Sequence, residues 1–165
     1  GPYYTFYSIY LEQNGYSRTL IGQLWAVGVI AEVFVFLFMH KFLPRYGLRL
    51  ILILSLLLST LRWFLIGLFP NMITVLFFAQ LLHAASFGTF HAAAIAWVHQ
   101  HFVGNNQARG QALYSSIGFG AGGVLGSLTS GYLWESPGPT FTFLLAGLST
   151  LLATYIAFKW FDYEK

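Results

Sequence analysis

An acid, a guanidinium and two imidazoles stand inside apolar sequence in this chain, and these are groups able to bind an anion or move a proton. Glu32 lies in "GVIAEVFVF", Arg62 in "LSTLRWFLIG", and Gln80, His83 and His91 in "AQLLHAASFGTFHAAA". A charge at the centre of a membrane helix costs roughly 2.5 to 3.5 kcal/mol on insertion scales, so it needs a partner or water, and such residues mark ion or substrate routes. By helical rise, Glu32 lies about 20 Å and His83 about 17 Å from the outer ends of their apolar runs, with Arg62 a turn or two nearer the outside. Trp25, Gly28 and Glu32 stand at i, i+3 and i+7, and Ser55, Ser59 and Arg62 form a similar stripe. On an ideal α-helix Phe87 and His91 each fall within about 20° of Gln80, with His83 about 60° away from it. Three helices thus each offer one polar stripe at a shared depth. The spacing predicts one water-accessible cavity in which Arg62 interacts with Glu32; the competing reading is polar glue between helices.

Other chemistries fit less well. His83 and His91 are eight residues apart rather than four, and no second carboxylate accompanies them, so the pattern is not that of a zinc helix. Ser130 in "LTSG" has no base placed beside it, which argues against a nucleophilic serine. The glycines around it have a packing explanation. Gly118, Gly122, Gly126 and Ser130 recur every four residues, the small-residue spacing that lets helices approach closely in lipid.

The elements that must position these groups follow from composition. The chain is 57% hydrophobic, 19% aromatic and 8% charged, against roughly 25% charged in an ordinary soluble domain. That places it in lipid, as an all-α integral membrane protein. It has no cysteine, and its net charge of +3 comes from scattered residues, which gives no nucleic-acid footprint. Apolar runs of membrane length predict spans over about 19–39, 48–69, 72–97, 112–134 and 139–160. A shorter run over about 1–12 is expected to be the end of a further helix that begins upstream, which makes residues 1–165 the carboxy-terminal bundle of a larger protein. Lys41, Arg45, Arg49, Arg109, Lys159 and Lys165 fall on one side and Arg18 on the other. The positive-inside rule makes the loops "HKFLPRYGLR" and "HFVGNNQARG" and the carboxy terminus cytoplasmic.

The strings "GPYYTFYSIYLEQNGYSRTLIGQLWAVGVIAEVFVF", "LRWFLIG", "AQLLHAASFGTFHAAA" and "RGQALYSS" closely resemble the carboxy-terminal half of the 3-phenylpropionate transporter family, in the major facilitator superfamily. The resemblance implies two six-helix halves with substrate and proton bound between them. The related lactose permease carries an acid, an arginine and a histidine at positions matching Glu32, Arg62 and His83, and a second carboxylate where this chain has Ser86. Pro44 stands where the superfamily's loop motif has an acid.

The resulting expectation is a secondary active transporter of the inner (plasma) membrane, coupling proton movement to symport of a small aromatic carboxylate. Arg62 is expected to pair with the anion, Glu32 to exchange partners or protons, and His83 to donate a hydrogen bond or relay the proton; Gln80 and His91 share the polar face, and Trp25 is read as a stacking partner for an aromatic ring. Tyr3, Tyr7 and Tyr10 are read as an interfacial belt or as stacking partners for a ring. The implied partners are the substrate, protons, the bilayer and the amino-terminal half; no cofactor or metal is implied. A sugar or nucleoside symporter would use the same Glu32 and His83 as hydrogen-bond partners. A membrane scaffold or sensor would need none of the buried charges.

Overall fold

The computed structural model describes residues 1–161. Helices α1 (Pro2–Gln13), α2 (Arg18–Tyr46) and α3 (Leu48–Leu68) are followed by α4 (Ile73–His83) and α5 (Thr89–His101), which a π turn at Ala84–Gly88 joins into one rod. Then α6 (Gln107–Ser115) and α7 (Gly122–Glu135) are joined by a second π turn at Ser116–Ala121, and α8 (Pro139–Trp160) closes the bundle. The described residues contain no strand.

Local chemistry sets the ends. Pro2 and Pro139 begin α1 and α8, where a missing amide N–H costs nothing. Ser17 caps α2, its Oγ accepting the Leu20 amide at 3.3 Å. Gly47 makes the whole α2–α3 turn in a left-handed backbone, φ 78°, a region open to glycine at little cost. Between the caps, the apolar residues face outward as much as inward: Phe34 is 58% exposed, Leu37 60% and Leu128 67%. That surface is tolerable in hydrocarbon, where no water is present to be ordered. Four helices, Arg18–Tyr46, Leu48–Leu68, Ile73–His101 and Pro139–Trp160, are long and apolar enough to cross a bilayer. The rod formed by α6 and α7 has similar length, but glycine and serine make it less apolar.

Several expected boundaries move. The helix expected to stop at Met39 continues to Tyr46, so most of "HKFLPRYGLR" is helical, with Pro44 inside the last turn. Lys41 and Arg45 lie near a helix C-terminus, where cations are favoured by the backbone dipole. The rod expected to end at Trp97 runs on to His101, and the next begins at Gln107 instead of Ala112. Lys165, counted above among the cytoplasmic charges, lies outside the described residues.

Small-residue packing also moves to a different helix pair. Gly118 meets nothing within 4 Å, and Gly122 meets only the Ile117 carbonyl of its own rod, so neither carries a close helix contact. Gly126 does: an added Cβ would lie 3.2 Å from Gly1 Cα. The reason is geometric, since α1 runs beside α7 at the level of Gly126 to Trp134 and not beside the π turn. Thr5 Oγ1 meets Ser127 Oγ at 3.2 Å, and Phe6 stacks on Trp134 at 4.7 Å. The closest pairing joins α3 to α8. There a Cβ on Gly147 would sit 3.1 Å from the Phe64 ring, one on Gly67 3.1 Å from Phe143 Cβ, and Thr60 Oγ1 meets Thr150 Oγ1 at 2.9 Å. This is the glycine-and-hydroxyl association lipid favours; of the three glycines expected to make it on the rod of α6 and α7, Gly126 does so among the described residues, and Gly118 and Gly122 do not.

Asn71 and Asn105 flank opposite ends of the 29-residue rod Ile73–His101. Single cysteines there should be labelled by a membrane-impermeant maleimide from opposite sides, Asn71→Cys from outside and Asn105→Cys only after permeabilisation. Labelling of both from one side would break the topology.

Candidate functional site

Arg62 is 4% exposed near the middle of the bundle. Its guanidinium lies over two ring faces, with Cζ 4.0 Å from the Trp63 centroid and 4.7 Å from that of Tyr3. Aromatic faces carry the negative part of the ring quadrupole, so they hold a cation without offering it a hydrogen bond. Nε and one terminal nitrogen accordingly have no hydrogen-bond partner. Beside the guanidinium is a cavity of about 230 Å³, whose polar lining comes from Tyr3, Tyr4, Ser55, Ser59, Arg62 and His83 among others.

Glu32 pairs with His83 and not with Arg62. Glu32 Oε1 lies 2.9 Å from His83 Nε2, and no Arg62–Glu32 ion pair occurs among the described residues. The cause is the packing of α2 along α4. Gly28, one turn before Glu32, lets the helices close up: a Cβ there would meet Gln80 Oε1 at 2.9 Å and His83 Cδ2 at 3.9 Å. The carboxylate therefore reaches the imidazole before it can reach α3. At 2.9 Å, either Nε2–H donates to an ionised Glu32, or a protonated Glu32 donates to Nε2. One added proton changes the net charge of this pair from −1 to 0. His83 Nδ1 has no hydrogen-bond partner, which leaves the ring free to take either tautomer.

The remaining expected residues surround this centre without lining the cavity. Gln80 is wholly buried and accepts a 2.6 Å hydrogen bond from the Tyr3 hydroxyl, which fixes the ring that carries Arg62. Trp25 packs on Tyr3 with centroids 4.6 Å apart and donates from Nε1 to Ser8 Oγ at 3.0 Å. His91 meets the Tyr114 hydroxyl at 3.1 Å, away from Arg62. Of the six expected residues, Arg62 and His83 line the cavity, while Glu32 reaches it only through His83. Tyr3 and Tyr7, 3% and 0% exposed, form the core and not a headgroup belt. Tyr10 is also buried, its hydroxyl donating to the Gly67 carbonyl at 3.3 Å.

Sequence spacing missed the π turn at Ala84–Gly88. In a regular α-helix His83, Phe87 and His91 would fan out by about 40° per step. The wider turn cancels that fan. His83 stacks on Phe87 at 5.3 Å and 15°, and Phe87 on His91 at 6.0 Å and 9°. Ser86, buried in the same turn, donates to the His83 carbonyl at 3.3 Å.

Residues 1–145 match the profile described as the MFS_1 like family. The chain belongs to that family, within the major facilitator superfamily. It is similar to a probable 3-phenylpropionic acid transporter of Escherichia coli (strain K12), 32% identical over 81% of this chain and 35% of that protein. It is also similar to the uncharacterized transporter YwbF of Bacillus subtilis (strain 168), 27% identical over 89% of this chain and 37% of that protein. Against the putative nucleoside transporter YegT of Escherichia coli (strain K12), identity is 27% over 94% of this chain and 38% of that protein. The chain thus spans little more than a third of the length of these relatives. No solved structure matches it. An MFS_1 like chain with four apolar rods of this length is a multi-pass membrane chain, and the relatives it matches carry transporter names.

The bond from Tyr3 to Gln80 gives the site its first test. Tyr3→Phe keeps the ring beneath Arg62 but leaves a buried amide oxygen unpaired, which costs about 1–3 kcal/mol. The variant should unfold at a lower temperature in detergent than the parent. An unchanged melting temperature would mean that the bond is energetically silent.

Proposed function

We propose that this chain is the carboxy-terminal bundle of a secondary active transporter that couples proton movement to symport of a small aromatic carboxylate. The observation that supports it most is the buried Arg62 guanidinium, ring-held, with nitrogens unpartnered beside a cavity. A permanently charged fork in that state is an anion receptor waiting for a planar, bidentate acceptor, and a carboxylate is one. The Glu32–His83 pair supplies the second half of the reading. It differs by one proton between net charges of −1 and 0, so substrate charge and pair charge can be balanced in one step.

In the proposed cycle the anion enters from outside and its carboxylate takes the free guanidinium nitrogens. A proton taken up by the Glu32–His83 pair offsets the added negative charge, which lowers the cost of moving the loaded site through a low-dielectric bundle. The other half of the site belongs to an amino-terminal bundle facing this one, as symmetric transporter folds place substrates between repeats. The charge bias of the loops supports a plasma-membrane, inner-membrane orientation with the carboxy terminus cytoplasmic.

The name of the E. coli relative favours an arylpropionate as the first substrate to try, and the nucleoside name of another relative sets the competitor. Uptake of 3-phenylpropionate into vesicles carrying the full-length transporter should rise with an inward proton gradient. Arg62→Ala should abolish it, and Arg62→Lys should keep the charge but lose most of the activity, because the bidentate fork is gone. Glu32→Gln should leave substrate binding while separating uptake from external alkalinisation. Uptake of a nucleoside in preference to the acid, or transport and alkalinisation undiminished in a Glu32→Gln, Arg62→Ala double variant, would overturn this function.

A further inference from the structure

Two π turns, on different rods, each present one phenylalanine to the other. Phe87 belongs to the turn Ala84–Gly88 and Phe119 to the turn Ser116–Ala121, with ring centroids 6.3 Å apart and planes at 69°. A π turn carries one residue more than the α-helix wants and is found frequently at functional sites. One such turn has a local use here, since it stacks His83 on Phe87. The second, on a rod with no charged residue near the cavity, has none unless the place where it puts Phe119 matters.

The surrounding contacts define that place. His91 stacks on Phe87, lies 5.7 Å from Phe119 edge-on, and is tied to Tyr114 by their 3.1 Å hydrogen bond, so the two rods are fastened beside the ring pair. Tyr4 meets the other edge of Phe87 at 6.4 Å, and it is 61% exposed; Phe119 is 49% exposed. Tyr4 and Phe87 line the cavity that holds Arg62, while Tyr4 and Phe119 line a neighbouring open groove of about 660 Å³. One wall of rings therefore runs from the guanidinium's cavity into the groove. Other rings near Arg62 are already engaged: Tyr3 and Trp63 lie against the cation, and Trp25 packs on Tyr3.

We infer that Tyr4, Phe87 and Phe119 are the specificity wall of the site, binding the aryl group of a carboxylate whose charged end sits on Arg62. The inference rests on the anion-site reading above and extends it to the apolar end of the substrate. The unpartnered guanidinium in the same cavity selects an acid, and the exposed rings beside it select an aryl group at the other end. Tyr4 and Phe119 each meet Phe87 at a T-shaped angle, 73° and 69°, the arrangement in which aromatic groups attract one another beyond simple burial, and a substrate ring entering beside them can extend it. A straight-chain acid of similar size gains burial but not that ring geometry.

The test uses the full-length transporter and two acids, 3-phenylpropionate and hexanoate, with uptake measured across concentrations. Phe119→Ala, at the half-exposed end of the wall, should raise KM for 3-phenylpropionate about tenfold, the loss of one good ring contact plus its buried area. KM for hexanoate should change by no more than about twofold. Phe87→Leu should act in the same direction, and Phe119→Tyr should restore the aryl preference. Equal losses for both acids, no change for either, or failure of Phe119→Tyr to restore the preference would overturn the wall. Arg62→Ala separates the two levels of the proposal. If it transports both acids normally, the anion site falls. If it transports neither while Phe119→Ala leaves the aryl preference intact, the anion site stands and the wall alone falls.

Discussion

An arginine keeps its charge under any condition a membrane protein meets, so a bundle that buries one must be built around it. Here the solution is aromatic. Tyr3 and Trp63 lie on the guanidinium, Gln80 pins Tyr3, and Gly28 makes room for Gln80 by bringing α2 against α4. That approach in turn puts Glu32 on His83. A chain of contacts thus runs from the need to hold one cation to the placement of the acid and the imidazole, although among the described residues neither forms an ion pair or hydrogen bond with the cation. Removing a hydrogen-bond acceptor from Arg62 and giving it ring faces leaves it stabilised but unsatisfied, which is the state a receptor for anions requires.

Much of the architecture was legible because lipid imposes strong rules on sequence. Apolar runs of membrane length pointed to the helices and their order, and the run over 139–160 coincides with α8. Arg62 and His83, which line one cavity, also stood out, since a charged or titratable group is costly in such a run. Helix ends were harder to read: "HKFLPRYGLR" looks like a loop by its charge, yet backbone dipoles favour those cations on the last turns of α2.

Pairing was the part that spacing could not give. Depth placed Glu32 level with His83 and within a turn or two of Arg62, but which one it meets depends on how α2 leans, and Gly28 lets it lean on α4. The π turns were invisible for a related reason. Nothing in "HAASFGT" or "SSIGFGA" marks an extra residue per turn except their small side chains and glycines, and an ideal 100° step misassigns every face beyond them. Phe87 was counted on the face of Gln80 and His91 without being read as a site residue, and Phe119 was passed over. The glycine rows illustrate the same limit, for small residues license a close contact without naming the helix that makes it.

What distinguishes an anion receptor from a structurally buried cation is whether binding depends on the ligand's charge. Equilibrium binding to the purified full-length transporter should therefore be compared for 3-phenylpropionate and its carboxamide, which share shape and ring and differ in charge. An unpartnered Arg62 facing the ligand predicts that the carboxylate binds at least about tenfold more tightly, the contribution of one charge-assisted, bidentate contact, and that this preference disappears in Arg62→Ala. Equal affinity for acid and amide in the parent protein would contradict it, and would return Arg62 to the role of buried structural charge.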